Sequence, residues 1–91
     1  MVYLLTMKLK HKRLADITLV PVETRSKNKF FRVDRGLWQA GFVEKFAARP
    51  GEIHPWKAFR GIGHKAQFVT AFYENEGGLD AAVACVLDRS L

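Results

Sequence analysis

Cysteine is almost missing from this chain: Cys85 is the single thiol among 91 residues. No disulfide can therefore form within the chain, and the setting expected for it is a reducing, cytoplasmic one. No apolar run approaches the ~20 residues needed to cross a bilayer. The opening MVYLLTMKLKHKR places its apolar residues before its basic ones and shows no small-residue cleavage pattern, which speaks against a secretory leader. A soluble protein with no membrane partner is expected. Prolines are few and scattered, at 21, 50 and 55, and no Gly/Ser tract, low-complexity run or internal repeat interrupts the chain. Nothing divides it, so residues 1–91 read as a single domain, with 1–13 set apart as a flexible basic N-terminal segment. Met7 offers a second natural opening, which leaves the first six residues as an extension that packs as a strand or does nothing.

Acidic residues are scarce where basic ones are dense. Residues 1–50 hold eleven Lys or Arg against four Asp or Glu, and residues 51–91 hold four against five, which recovers the formal charge of +6. The excess comes from Lys8, Lys10, Lys12 and Arg13, then Arg25, Lys27, Lys29, Arg32 and Arg35. Such asymmetry points to a polyanionic partner, against the plainer reading of a solvated basic surface. Hydrophobic content of 48% and charged content of 26% fit a folded domain rather than a disordered one.

Apolar spacing predicts an α+β fold: a small antiparallel sheet of three to five strands packed against a C-terminal helix. Asp16 to Thr24 (DITLVPVET) alternates, with Ile17, Leu19 and Pro21 on one side and Val20 and Val22 on the other. It reads as an edge strand, because Pro21 has no N–H to donate to a ladder. The polar RSKNK that follows has turn chemistry, and FFRV resumes a strand with Phe31 and Val33 on one face. Gly36 to Ala48 carries two patterns. Trp38, Phe42 and Phe46 recur every four residues as a helical stripe would, while Trp38, Ala40 and Phe42 alternate as a strand would. Gly41 costs a helix ~1 kcal/mol relative to alanine, which leans the segment to strand. WKAFRGI and AQFVTAFY flank a reversal at Gly61 and Gly63, and Leu79, Ala82, Val83, Val86 and Leu87 form the stripe of a final helix. Asp80 in its first turn and Arg89 near its end would complement the helix dipole. Cys85, beside the stripe, reads as a small buried filler.

No catalytic, metal or cofactor site emerges from these residues. GIGHKA superficially matches the start of a dinucleotide-binding loop, but a strand follows it and no acidic residue sits at the required distance. His11, His54, His64 and Cys85 lack ligand spacing. Pairs such as His54 with Glu52, or His64 with Glu74, would need a pocket to act as acid and base. No enzyme is expected.

Basic and aromatic residues interleave more suggestively. Phe30, Phe31, Arg32, Trp38, Trp56, Lys57 and Arg60 combine groups that stack bases with groups that neutralise phosphates. A sheet buries alternate residues, so if Trp56 and Ala58 face one way, Lys57 and Phe59 face the other. From Trp56 to Val86 the order WKAFRGIGHKAQFVTAFYENEGGLDAAVACV resembles the final strands and helix of AP2-type and integrase-arm-type DNA-binding domains. The matching positions are Trp56, Ala58, Gly63, Phe72, Ala81 and Ala82, about a third of the chain. The resemblance implies a three-stranded sheet whose exposed face enters the major groove, with Trp56 and Arg60 among the contacting residues. The family's opening strand motif is absent, and the N-terminal half has no counterpart.

The first expectation is a non-catalytic nucleic-acid-binding domain, for DNA ahead of RNA, working through a basic sheet face with Lys27, Lys29, Arg32, Trp56, Lys57, Arg60 and Lys65 as contacts. Its rival is a protein-interaction or homodimerising module in which Trp38, Phe42 and Phe46 form an apolar patch and the charges only solvate. Basic residues gathered on one exposed face would favour the first, and an exposed aromatic patch repeated across a twofold axis the second.

Overall fold

Alternation dominates from Ile17 onward, and five antiparallel strands follow one another. In the computed structural model, which describes residues 9–91, these are β1 (Ile17–Val22), β2 (Lys29–Arg35), β3 (Trp38–Lys45), β4 (Trp56–Arg60) and β5 (Gln67–Phe72). They pair in the order β1-β2-β3-β4-β5, each antiparallel to the next. The helix α1 (Gly78–Val86) closes the chain. The strand reading of Gly36 to Ala48 holds: β2 and β3 are joined by Gly36 and Leu37, and Gly36 has φ +58°. Positive φ at the first of two central residues suits the twist of a hairpin. β1 lies at the sheet edge, as Pro21 requires. The expected N-terminal extension falls outside the described residues. No helix among those described is long and apolar enough to cross a membrane.

One face of the sheet is covered. α1 packs on β3, β4 and β5, and its Ala82, Val83 and Val86 join one core with Leu19, Phe31, Val33, Val43, Trp56 and Ala58. Small residues let the helix come close. At Gly41 a side chain would collide with the backbone carbonyl of Phe59 and lie 2.9 Å from Val86 Cγ1, so the helix's last turn sits over bare β3 backbone. Leu14, in the single turn Lys12–Leu14, completes the same core.

The helix ends are tied differently from the expectation. Asp80 accepts hydrogen bonds from the backbone N–H of Lys10 and His11, at 3.0 and 2.7 Å. It thereby fastens the incoming chain to the first turn. At the other end Asp88 is left-handed (φ +55°), the Asp88 N–H bonds to Cys85 O at 3.1 Å and the Arg89 N–H bonds to Ala84 O at 2.8 Å. This is a Schellman closure with aspartate where glycine is usual. The cation on the helix C-terminus is Arg60, whose Nε and Nη2 donate to Cys85 O at 3.0 and 2.8 Å. The Arg89 side chain turns away to Asp16, donating from Nη1 and Nη2 at 2.9 Å each.

Asp16 also meets Arg35 at 3.2 Å. The hydrogen bonds from Arg89, ahead of all other influences, hold its carboxyl at about 2, below the usual 3.8. A depressed folded-state pKa contributes stability above the unfolded value and loses it as the carboxyl protonates. Asp16→Asn is therefore expected to lower Tm at pH 6, with the gap to the parent protein narrowing below pH ~4 and closing near pH ~2. Thermal melts across that range, read by circular dichroism, check it.

Candidate interaction face

The alternation that buries Leu19, Phe31, Val33, Val43, Trp56 and Ala58 turns their neighbours to the side that α1 leaves open. Register assembles those neighbours into rows across the strands. Val20, Arg32, Phe42, Phe59 and Phe68 are successive partners from β1 to β5, and beside them Val22, Phe30, Glu44, Lys57 and Ala71 form a second row. Thr18 and Asp34 begin a third.

Phenylalanines dominate this face. Phe42 and Phe59 stack with ring centroids 4.4 Å apart and planes 11° from parallel, Phe30 is 6.2 Å from Phe42, and Phe68 meets Phe59 edge-on at 5.6 Å. The face is exposed at both edges: Phe68 on β5 is 56% accessible, and Val22 on β1 is 41%. Because Phe42 and Phe59 turn their flat faces to each other along the sheet, their edges are directed outward. A nucleobase stacks on ring faces, and Phe42 and Phe59 already turn one face each to the other. Phe46, just past β3, extends the patch, with Lys57 Nζ 4.1 Å above its ring.

Charge on the face is balanced. Arg32 donates to Asp34 from Nε and Nη2, both at 2.8 Å, and that bond raises the guanidinium's pKa. Glu44 accepts from Asn28 Nδ2 at 3.1 Å. The cations Arg32 and Lys57 thus stand among the anions Asp34 and Glu44 on a chain whose formal charge is +6.

The residues expected to contact nucleic acid do not converge. Arg32 and Lys57 lie on the open face. Trp56 is a core residue, 3% exposed, with Nε1 donating to Glu74 Oε1 at 3.3 Å. Arg60 points to the helix side and caps α1. Lys27 is exposed in the loop between β1 and β2, Lys29 follows at the start of β2, and Lys65 lies at the β4–β5 reversal. Trp56 and Arg60, which the DNA-binding resemblance put on the contacting face, thus sit on the opposite side of the sheet. Of the rival's aromatics, Phe42 is on the open face, Phe46 borders it and Trp38 is exposed beside the β2–β3 turn. Phe59 and Phe68, which complete the row, were not among the candidates. Alternation within β4 signals Phe59, but in β5 it would set Phe68 on the side of Thr70 and Phe72, and only the register shift between β4 and β5 brings Phe68 opposite Phe59.

Chemistry elsewhere is sparse. His54 Nε2 and Glu52 Oε2 meet at 2.8 Å, at the surface beside Phe46. His64 and Glu74 occupy opposite ends of β5. A groove of about 1000 Å³ near the start of α1 is lined by Lys29, Lys45, Glu74 and Asp80 among others. Lys45 pairs there with Glu74 at 3.6 Å, and Asp80 holds the Lys10 and His11 amides. Among the described residues no three His, Cys, Asp or Glu side chains converge to hold a metal ion. No protein-family model, curated protein or solved structure matches the chain.

Proposed function

We propose that the protein is a non-catalytic binding module whose working surface is the helix-free face of the sheet, and that its partner is a protein surface. The observation that carries this reading is the row Phe42, Phe59 and Phe68, with Phe30 beside it, on the face opposite α1; among the described residues no helix packs there, Phe68 is exposed and the other three rings are half-buried. Single exposed apolar residues are ordinary, but a contiguous patch across four strands is a recognition feature. Its balanced charge suits a protein partner, since a polyanion gains most from unpaired cations that release its counterions.

A second reading, nucleic-acid binding, draws on Arg25, Lys27 and Lys29, which are exposed around the β1–β2 loop, and on Lys57. Three phosphates neutralised by Lys27, Lys29 and Lys57 would give a log K against log salt slope of about −3 on duplex DNA.

Two titrations separate the readings. An environment-sensitive apolar dye should bind the folded protein at sub-micromolar concentration and lose most of its signal with Phe68→Ser, while labelled duplex DNA, single-stranded DNA and RNA should bind with no dependence on Phe68. If instead a polymer binds at ~200 mM salt and Phe68→Ser weakens it tenfold or more, the face is a nucleic-acid platform and the protein-surface reading fails.

A further inference from the structure

We infer that the partner of this face is a second copy of the same chain, the two sheets packing face to face about a twofold axis. The inference rests on the reading of the open face as a protein-binding surface and commits that reading to one occupant.

Charge argues for it first. Two chains of formal charge +6 repel one another across most approaches. The open face sets two cations, Arg32 and Lys57, against two anions, Asp34 and Glu44, in the rows defined by strand pairing. It can therefore be brought against a copy of itself without assembling like charge. A twofold interface requires that self-complementarity, because each residue faces what its counterpart faces. Arg32 and Asp34 are already joined at 2.8 Å and enter the contact as a neutral pair.

Shape and area agree. Five strands at ~4.8 Å spacing and three rows at ~6.8 Å make a face of about 24 by 20 Å, close to 500 Å² in projection. Sheets that pack in layers stand ~10 Å apart and interdigitate their inner side chains. The phenylalanine rings, with the smaller Val20 and Val22 on β1 and Ala71 on β5 at the ends of the rows, offer large and small side chains for that packing. Interdigitation raises the buried area above the projection, toward but not beyond the ~800 Å² per partner of an ordinary interface. The dimer should accordingly be reversible, with Kd on the order of 1–100 µM.

Sedimentation equilibrium from ~1 to ~500 µM tests this on the full chain. The parent protein is expected to shift from monomer to dimer across that range, and dye signal per chain should fall along the same curve. Phe68→Glu on β5 and Val22→Glu on β1 replace exposed residues at opposite edges of the face. Each should raise Kd at least tenfold while leaving unchanged the circular dichroism spectrum and the Tm of the monomer, measured at concentrations well below Kd. A monomer at ~500 µM, or a dimer indifferent to both substitutions, overturns the proposal. If the monomer still binds dye in a Phe68-dependent way, the interaction face stands and its partner is another protein. If polymer binding depends on Phe68, the occupant is nucleic acid. Absence of both dimer and dye binding overturns the face reading as well.

Discussion

Gly41→Ala is expected to cost about 3 kcal/mol or more, read as a lower urea midpoint with an unchanged denaturant slope. The added methyl would run into the Phe59 carbonyl on β4 and approach Val86 Cγ1 on α1. Neither can yield alone. The carbonyl belongs to the strand paired with β3, and Val86 is anchored in the core at 4% exposure. Relief therefore means parting β3 from β4 or lifting the end of the helix. A domain of this size has about 5–14 kcal/mol in total, so the loss is a substantial fraction of its stability. Gly36→Ala is the informative comparison. Gly36 has positive φ but no atom within 4 Å of its would-be side chain, and the change there should cost only about 1 kcal/mol, through backbone strain alone.

Trp56→Ala is expected to cost about 3–5 kcal/mol by removing a large ring from the core. Trp56 sits 6.0 Å from Phe31, centroid to centroid, under the side of the sheet that α1 covers. Trp56→Phe keeps much of the apolar volume but gives up the bond to Glu74 and should cost about 1–2 kcal/mol. Chemical denaturation followed by far-ultraviolet circular dichroism measures both. The pair also guards the interpretation of binding data. Trp56 carries no surface contact, so any loss of partner binding in Trp56→Ala reports unfolding, whereas Phe68→Ser should change binding with a stability shift within about 0.5 kcal/mol, as for other exposed positions.

Much of the architecture was legible in local pattern. Alternation in DITLVPVET placed Leu19 opposite Val20 and Val22, and Pro21 marked an edge. The spacing of Leu79, Ala82, Val83 and Val86 announced the helix. Between Gly36 and Ala48 the aromatic residues satisfied both a four-residue and a two-residue period, and local pattern could not choose decisively. Pairing with β2 on one side and β4 on the other chose the strand, since hydrogen bonding on both edges outweighs a weak helical stripe interrupted by Gly41.

The interaction face was legible only in halves. That Lys57 and Phe59 oppose Trp56 and Ala58 follows from the alternation of a strand. Which of these sides lies open depends on where α1 lands, and apolar residues occupy both sides of β4. The basic residues likewise scatter in space: Arg32 closes on Asp34, Arg35 reaches Asp16 and Arg60 reaches Cys85 O. Sequence counts charges without knowing their partners.

By itself, then, the sequence determined the α+β class, which residues alternate and every element type but that of β3, because those depend on backbone preferences and periods spanning a few neighbouring residues. The tertiary structure alone decided the row Phe42, Phe59 and Phe68, the neutral open face and the removal of Trp56 and Arg60 from it. Each of these joins residues from different strands or from strand and helix, and so depends on register and on helix placement, quantities set by long-range packing that no local window of the chain contains.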